Sequence, residues 1–429
     1  MYKRCLWIGL AGLMLSGVVC ADNYPDIDPA EGWNNLKPVV AQKGDWPWWR
    51  GPKCDNVSPA GVKPPVVWSE TLGVLWKVTL PGLGHSSPIL VGNRLYITSG
   101  DKKEGFVKLY SLEQANGKTL WQCEIYKGPV ARLHKDNSMA SSTPAFDGER
   151  IYIPYQTANT MGLAAVSLDG KVLWRTVLAP YTCIQGYSAS PVFYKSLVIL
   201  PVEAKEASRM VAVHRKTGKI VWRNTMRKVK ESYASALMAH VAGRDQLFLT
   251  GGESTRSYDP ANGTLLWECF GPSTYNGATP AVDKDTVYVT GGYPKKALMA
   301  IRADGSGDVL KSHLRWQSDK KAGYVPSPTY HKGLVYAVND QGLARCYGAE
   351  DGKVLWEKSL KRRFYSSPVI AGDFIYLFDR KNKATILKTG RKFKVVAQNT
   401  LSDGVFASPV FKGKRMYLRT LGDLYCIGE

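Results

Sequence analysis

Apolar and polar positions along this chain fall into one phrase that returns eight times. A small residue, usually followed by Pro, leads after a few residues into an apolar–aromatic–apolar run. The phrase opens at Ser87-Pro88, Thr143-Pro144, Ser190-Pro191, Ser235-Ala236, Thr279-Pro280, Ser327-Pro328, Ser367-Pro368 and Ser408-Pro409. The second residues lie 56, 47, 45, 44, 48, 40 and 41 positions apart. The runs include Leu95-Tyr96-Ile97, Ile151-Tyr152-Ile153, Val287-Tyr288-Val289, Ile375-Tyr376-Leu377 and Met416-Tyr417-Leu418. Short β-branched and aromatic runs bounded by Gly predict strands. Their near-continuous apolarity predicts burial on both faces. A period in the forties is the length of one four-stranded propeller blade.

Each repeat then predicts a hairpin and an outer strand. The turns are Asn116-Gly117, Asp169-Gly170, Thr217-Gly218, Asn262-Gly263 and Asp351-Gly352, each four residues before a Trp: Trp121, Trp174, Trp222, Trp267 and Trp356. Such pairs supply the positive φ that tight hairpins require. The Trp is expected to fill space between neighbouring sheets. Two repeats deviate: an insertion follows Asp304-Gly305 before Trp316, and the seventh has Val395-Val396 in place of a Trp. The last repeat stops after its third strand, at Leu424-Tyr425-Cys426, while an unclaimed outer strand with its own Trp lies upstream at Val74–Val78. That strand is expected to complete the last blade and remove two exposed sheet edges. The expected fold is all-β: an eight-bladed β-propeller of four-stranded antiparallel blades, closed by an N-terminal strand.

The first 21 residues predict an export signal, with Lys3 and Arg4 ahead of an apolar run from Leu6 to Val19 and small residues at the cleavage point. A lipid anchor at Cys20 is disfavoured because Val19 is bulky. No other stretch is long and apolar enough to span a bilayer, so the mature chain is expected to lack a transmembrane segment and to be periplasmic or envelope-located. Residues 22–69 form a Trp- and Pro-rich strap, densest at Asp45–Pro52, expected over the side or base of the propeller, which occupies residues 70–429. The six Cys outside the signal show no CxxC spacing, which argues against a metal cluster and leaves any disulfide open. A net charge of +21 favours anionic partners. An exported chain with no nucleic-acid motif is not expected to bind nucleic acid.

The Ser-Pro start, the Leu-Tyr-Ile type of strand and the Gly-Lys-x-x-Trp end resemble the pyrroloquinoline-quinone (PQQ) repeat, from about Leu75 to Glu429. The stretch Trp46–Pro52 resembles the start of exported PQQ-like proteins. Two kinds of protein share this repeat: calcium- and PQQ-dependent dehydrogenases of alcohols and sugars, and non-enzymatic propellers including the BamB type. The enzyme reading requires a hard cation held by carboxylate and amide oxygens, and a carboxylate base. Acidic residues in the relevant loops are scattered, no vicinal Cys pair exists, and no catalytic or metal-binding residue carries over by motif. The expectation is therefore a non-enzymatic scaffold for an envelope protein or an anionic polysaccharide, with no cofactor. PQQ with calcium is the alternative, and a polysaccharide-binding module the third reading.

The binding face is expected where loops enter the innermost strands. His85, Tyr187, Tyr233, Tyr275, Tyr324, Tyr365 and Phe406 precede seven of the eight anchors, with Ser141 in the second repeat. Arg132, Lys135, Arg227, Lys228, Lys321, Arg362 and Arg363 make the same loops basic. Rings inside a positive rim would suit an anionic polymer, a quinone carboxylate or an acidic protein segment. The anchor serines themselves read as structural.

Overall fold

The computed structural model describes residues 32–183, 185–204, 208–226, 231–319 and 321–429. The export signal and the basic residues Arg227 and Lys228 fall outside them. Eight antiparallel sheets stand around a central channel. The first blade runs outward through Ile89–Val91, Arg94–Asp101, Phe106–Glu113 and Thr119–Lys127. The eighth consists of Val410–Lys412, Arg415–Arg419 and Asp423–Gly428, closed by Val74–Thr79. In that closure Trp76 faces Cys426 and Val78 faces Leu424, antiparallel. The insertion before Trp316 gives Gly307–Asp308 to the fourth blade as a fifth strand, parallel to Trp267–Glu268.

The blades are joined by the aromatic positions of the repeat. Tyr96, Tyr152, Tyr288, Tyr336, Tyr376 and Tyr417 on the second strands are fully buried. The outer-strand Trp reaches the neighbouring blade: the indole N–H of Trp76 donates to Gln114 O at 3.2 Å, that of Trp121 to Leu168 O at 3.1 Å, and that of Trp316 to Ala349 O at 2.9 Å. A Trp can be buried cheaply here because its polar atom finds an acceptor. The hairpin glycine of the next blade lies on the indole face. Gly117 has φ 75°, and a Cβ there would come within 2.7 Å of the Trp76 ring. Backbone conformation and close approach both require glycine. The six cysteines among the described residues carry free thiols, five of them buried.

The strap crosses the base of the propeller, the side of the turns between first and second strands. Gly92 N in the first blade donates to Asp45 Oδ1 at 2.9 Å, and Trp46 bridges to Leu90. Trp48 packs edge-on against Phe193 of the third blade. Arg50 Nη2 donates to Pro328 O of the sixth at 2.9 Å, and Asn56 Nδ2 to Pro368 O of the seventh at 2.9 Å. The segment thus ties together blades far apart in sequence, and it sets one boundary of the channel.

Candidate binding site at the channel mouth

The repeat anchors meet as a collar around the channel. Backbone N–H groups of one blade donate to the anchor hydroxyl of the next: Ser87 to Thr143 at 3.1 Å, Thr143 to Ser190 at 2.9 Å and Ser190 to Ser235 at 2.8 Å. Thr279 donates to Ser327 at 2.9 Å, Ser327 to Ser367 at 3.0 Å, Ser367 to Ser408 at 3.3 Å and Ser408 back to Ser87 at 3.1 Å. At the remaining junction, Thr279 Oγ1 instead accepts the indole N–H of Trp49 at 3.0 Å. A small hydroxyl residue therefore recurs because each blade's inner N–H is buried and requires an acceptor from its neighbour.

Above the collar lies a cavity of about 370 Å³. Trp49, from the strap, is its floor. Below Trp49 is a second cavity of about 200 Å³, and Trp49 and Thr279 line both. Of the rings expected at the mouth, His85, Tyr233, Tyr324, Tyr365 and Phe406 line the upper cavity, as does Ser141. Tyr187 stands apart: it is buried, packs edge-on against Tyr181, and donates from its hydroxyl to Pro201 O at 2.8 Å. Tyr275 also stands apart, pairing with Tyr293 through backbone and ring. In both cases the entry loop turns its ring toward its own neighbours, an orientation that spacing along the chain does not fix.

The described residues of the basic rim are not part of the wall. Arg132, Lys135, Lys321 and Arg363 are exposed. Lys321 lies 3.8 Å from Glu357, and Arg362 lies 3.3 Å from Asp379. Positive charge enters the site from residues that the sequence pattern did not single out. Arg380, at the turn after the second strand of the seventh blade, lies 4.2 Å from the Tyr365 ring centroid and 5.1 Å from that of Phe406. It pairs with Asp136 at 2.6 Å, while its Nε and Nη1 are buried without partners. Arg419 is fully buried beside His85 and bonds Gly422 O and Ser99 Oγ, with Nε unpartnered. Arg50 lines the lower cavity with Nη1 unpartnered. Burial lowers both Arg50 and Arg419 to about 10, so both stay charged at neutral pH. Asp55 acts on Arg50, and Asp423 and Asp403 act on Arg419, from beyond direct ion-pair contact.

His85 packs 4.5 Å from Phe406 between centroids, and its Nδ1 lies 3.4 Å from Ser141 Oγ. Burial, then the nearby charge of Arg419, lowers its pKa from 6.5 to about 4. The ring is therefore neutral above about pH 5. A histidine that resists protonation only when folded takes up a proton on unfolding between pH 4 and 6.5. Stability is then full above 6.5 and falls as pH drops through that window, by up to about 3 kcal/mol. Urea denaturation at pH 7 and pH 4.5 should show this loss, and His85→Gln should remove most of the difference.

A calcium-bound quinone calls for several carboxylate and amide oxygens converging on a hard cation. Among the described residues no three His, Cys, Asp or Glu side chains come together as metal ligands. The carboxylate in the wall, Asp136, is already matched by Arg380. The buried guanidiniums of Arg50 and Arg419 oppose a divalent cation near them. The donor set does not fit calcium.

A family model described as outer membrane protein assembly factor BamB matches residues 63–198, 163–313 and 310–420, which together cover most of the propeller. This chain belongs to that family. It is 22% identical over 379 residues to the outer membrane protein assembly factor BamB of Yersinia pestis, covering 86% of this chain and 88% of that one. It is 23% identical over 352 residues to the tetrathionate hydrolase of Acidithiobacillus ferrooxidans, a match to 72% of this chain that spans 65% of the hydrolase's length. A europium-containing methanol dehydrogenase shares the fold, with a TM-score of 0.64 at 13% identity over 90% of this chain and 98% of that one. BamB-like and quinoprotein-like propellers are thus one architecture here. No helix among the described residues is long and apolar enough to cross a membrane.

Proposed function

We propose that this protein is an exported, non-enzymatic propeller of the cell envelope. Its channel-mouth face receives an envelope protein or an anionic envelope polysaccharide. The observation that carries this reading is the composition of the mouth cavity. Its walls are rings, hydroxyls and amides, and its carboxylate, Asp136, is held by Arg380. Such a wall can hold and orient a ligand, but its carboxylate is already paired and is not the free carboxylate base that quinone-dependent alcohol oxidation calls for. Membership of the BamB family supports a scaffold role and an envelope location. The fold alone does not, because quinoprotein dehydrogenases share it.

The test is calorimetric titration of the purified protein with PQQ, with and without Ca²⁺, alongside dye-linked oxidation of alcohols and sugars and a tetrathionate hydrolysis assay. The expected result is no Ca²⁺-dependent PQQ binding and no turnover. Ca²⁺-dependent binding accompanied by dye reduction would establish the oxidoreductase instead, and tetrathionate cleavage a hydrolase.

A further inference from the structure

The collar has a chemical consequence beyond joining the blades. Each anchor oxygen accepts one hydrogen bond, from a neighbouring backbone N–H or, at Thr279, from Trp49. A serine or threonine hydroxyl also carries one proton to donate. Among the described residues none of the eight anchor hydroxyls donates to a protein acceptor. Accepting an N–H orients each O–H dipole with its positive end away from that N–H and polarises it further. Thr143, Ser190, Ser235, Thr279, Ser327 and Ser367 present these donors at the bottom of the mouth cavity, and each is at most 5% exposed. Neutral donors of this kind prefer a negatively charged acceptor.

Two buried guanidiniums near the channel add positive charge. Arg50, 1% exposed with Nη1 unpartnered, bonds Pro328 directly after collar residue Ser327. Arg419, 0% exposed with Nε unpartnered, lies beside His85 on the wall. Burial strengthens their field on anything in the channel. Above the collar, the rings of Tyr233, Tyr324, Tyr365 and Phe406 line the wall, and aromatic walls suit the flat apolar side of a sugar or another ring.

We propose that the collar is a metal-free seat for a carboxylate, borne on a ring that packs between the mouth aromatics, as in a uronic acid. The seat deepens the mouth-face reading above and rests on it for its location. The carboxylate accepts from several anchor O–H groups at once. Cavity size admits about one such ring. The same chemistry can arrive as a free acid or as the end of an acidic glycan.

The experiment is calorimetry of the mature protein with glucuronate, with glucose as the neutral match, and with an oligoglucuronate, each with and without EDTA. Glucuronate should bind at least about tenfold more tightly than glucose, unaffected by EDTA. Ser327→Ala should weaken glucuronate about tenfold or more, the loss expected for one charge-assisted hydrogen bond. Ser327→Thr, which restores the hydroxyl found naturally at Thr143 and Thr279, should rescue it. Thermal denaturation of Ser327→Ala tells lost binding from lost folding, and the rescue by threonine holds in either case. Equal affinity for monomer and oligomer identifies a free acid, and tighter oligomer binding a glycan end; both support the seat. No preference for glucuronate over glucose, abolition by EDTA, or a threonine variant no better than the alanine would overturn it. Oligoglucuronate binding that Ser327→Ala leaves unchanged would also overturn the collar while leaving the mouth-face reading standing.

Discussion

A chain shortened to begin at Leu80 should lose its cooperative unfolding transition, whereas one beginning at Gly73 should keep it at reduced stability. The two differ mainly by the strand Val74–Thr79, which pairs along Asp423–Gly428 and carries Trp76 into the joint with the first blade. Without it the last blade exposes a row of unpaired N–H and C=O groups, and the joint between blades eight and one loses its indole and the Gln114 bond. Tyr417 and Gly117 then face a void where Trp76 stood. A propeller is held as a ring, so opening one joint weakens every blade's neighbour contact. Set against a folding free energy of about 5–15 kcal/mol for a typical domain, this loss should leave an aggregation-prone state. Calorimetric melting of both truncations is the check. A sharp transition in the shorter chain would mean that the ring closes without its last strand.

Trp49→Ala is expected to lower stability by about 3 kcal/mol and to turn two cavities into one channel. Trp49 separates spaces of about 370 and 200 Å³ and bonds Thr279 at 3.0 Å. Trp49 is half-buried and borders a void on either side, so the cost belongs at the lower end for aromatic truncation. Thr279 also loses the partner that completes the collar. Trp49→Phe keeps the plug but drops the N–H, and should cost only about 1 kcal/mol. Urea denaturation of the three proteins measures the stabilities, and a crystal structure of the alanine variant would show whether the cavities join. If Trp49→Ala matched the parent, the strap would not be the channel's floor.

The strap also explains why the two ends of the channel differ. On the mouth side, the loops that enter the inner strands leave a chamber. On the base side, Trp46, Trp48 and Trp49 are packed into the blades or across the axis. An occupant therefore enters at the mouth and meets hydroxyls at the bottom. Leu36 and Lys37 contribute as well: Leu36 N donates to Ser196 Oγ at 2.8 Å, and Lys37 O accepts from Arg215 Nη2 at 2.7 Å, fastening this part of the strap to the third blade.

Blade number, strand order and the closing strand were all legible in the amino-acid sequence. Each depends on local information: apolar period, turn residues with positive φ, and a Trp at a fixed distance from its turn. Repetition multiplies that information eightfold, and the unmatched outer strand at Val74–Val78 leaves the ring one way to close. The site was legible only in part. Spacing put rings on the entry loops, but rotation of each loop decided that Tyr233, Tyr324, Tyr365 and Phe406 face the channel while Tyr187 and Tyr275 do not. Arg132, Lys135, Lys321, Arg362 and Arg363 are exposed or paired because long charged side chains remain hydrated. The charges beside the cavity, Arg50, Arg380 and Arg419, come from three unrelated stretches of chain. Only the closed ring brings them to one axis, and only the path of the strap makes Trp49 its floor.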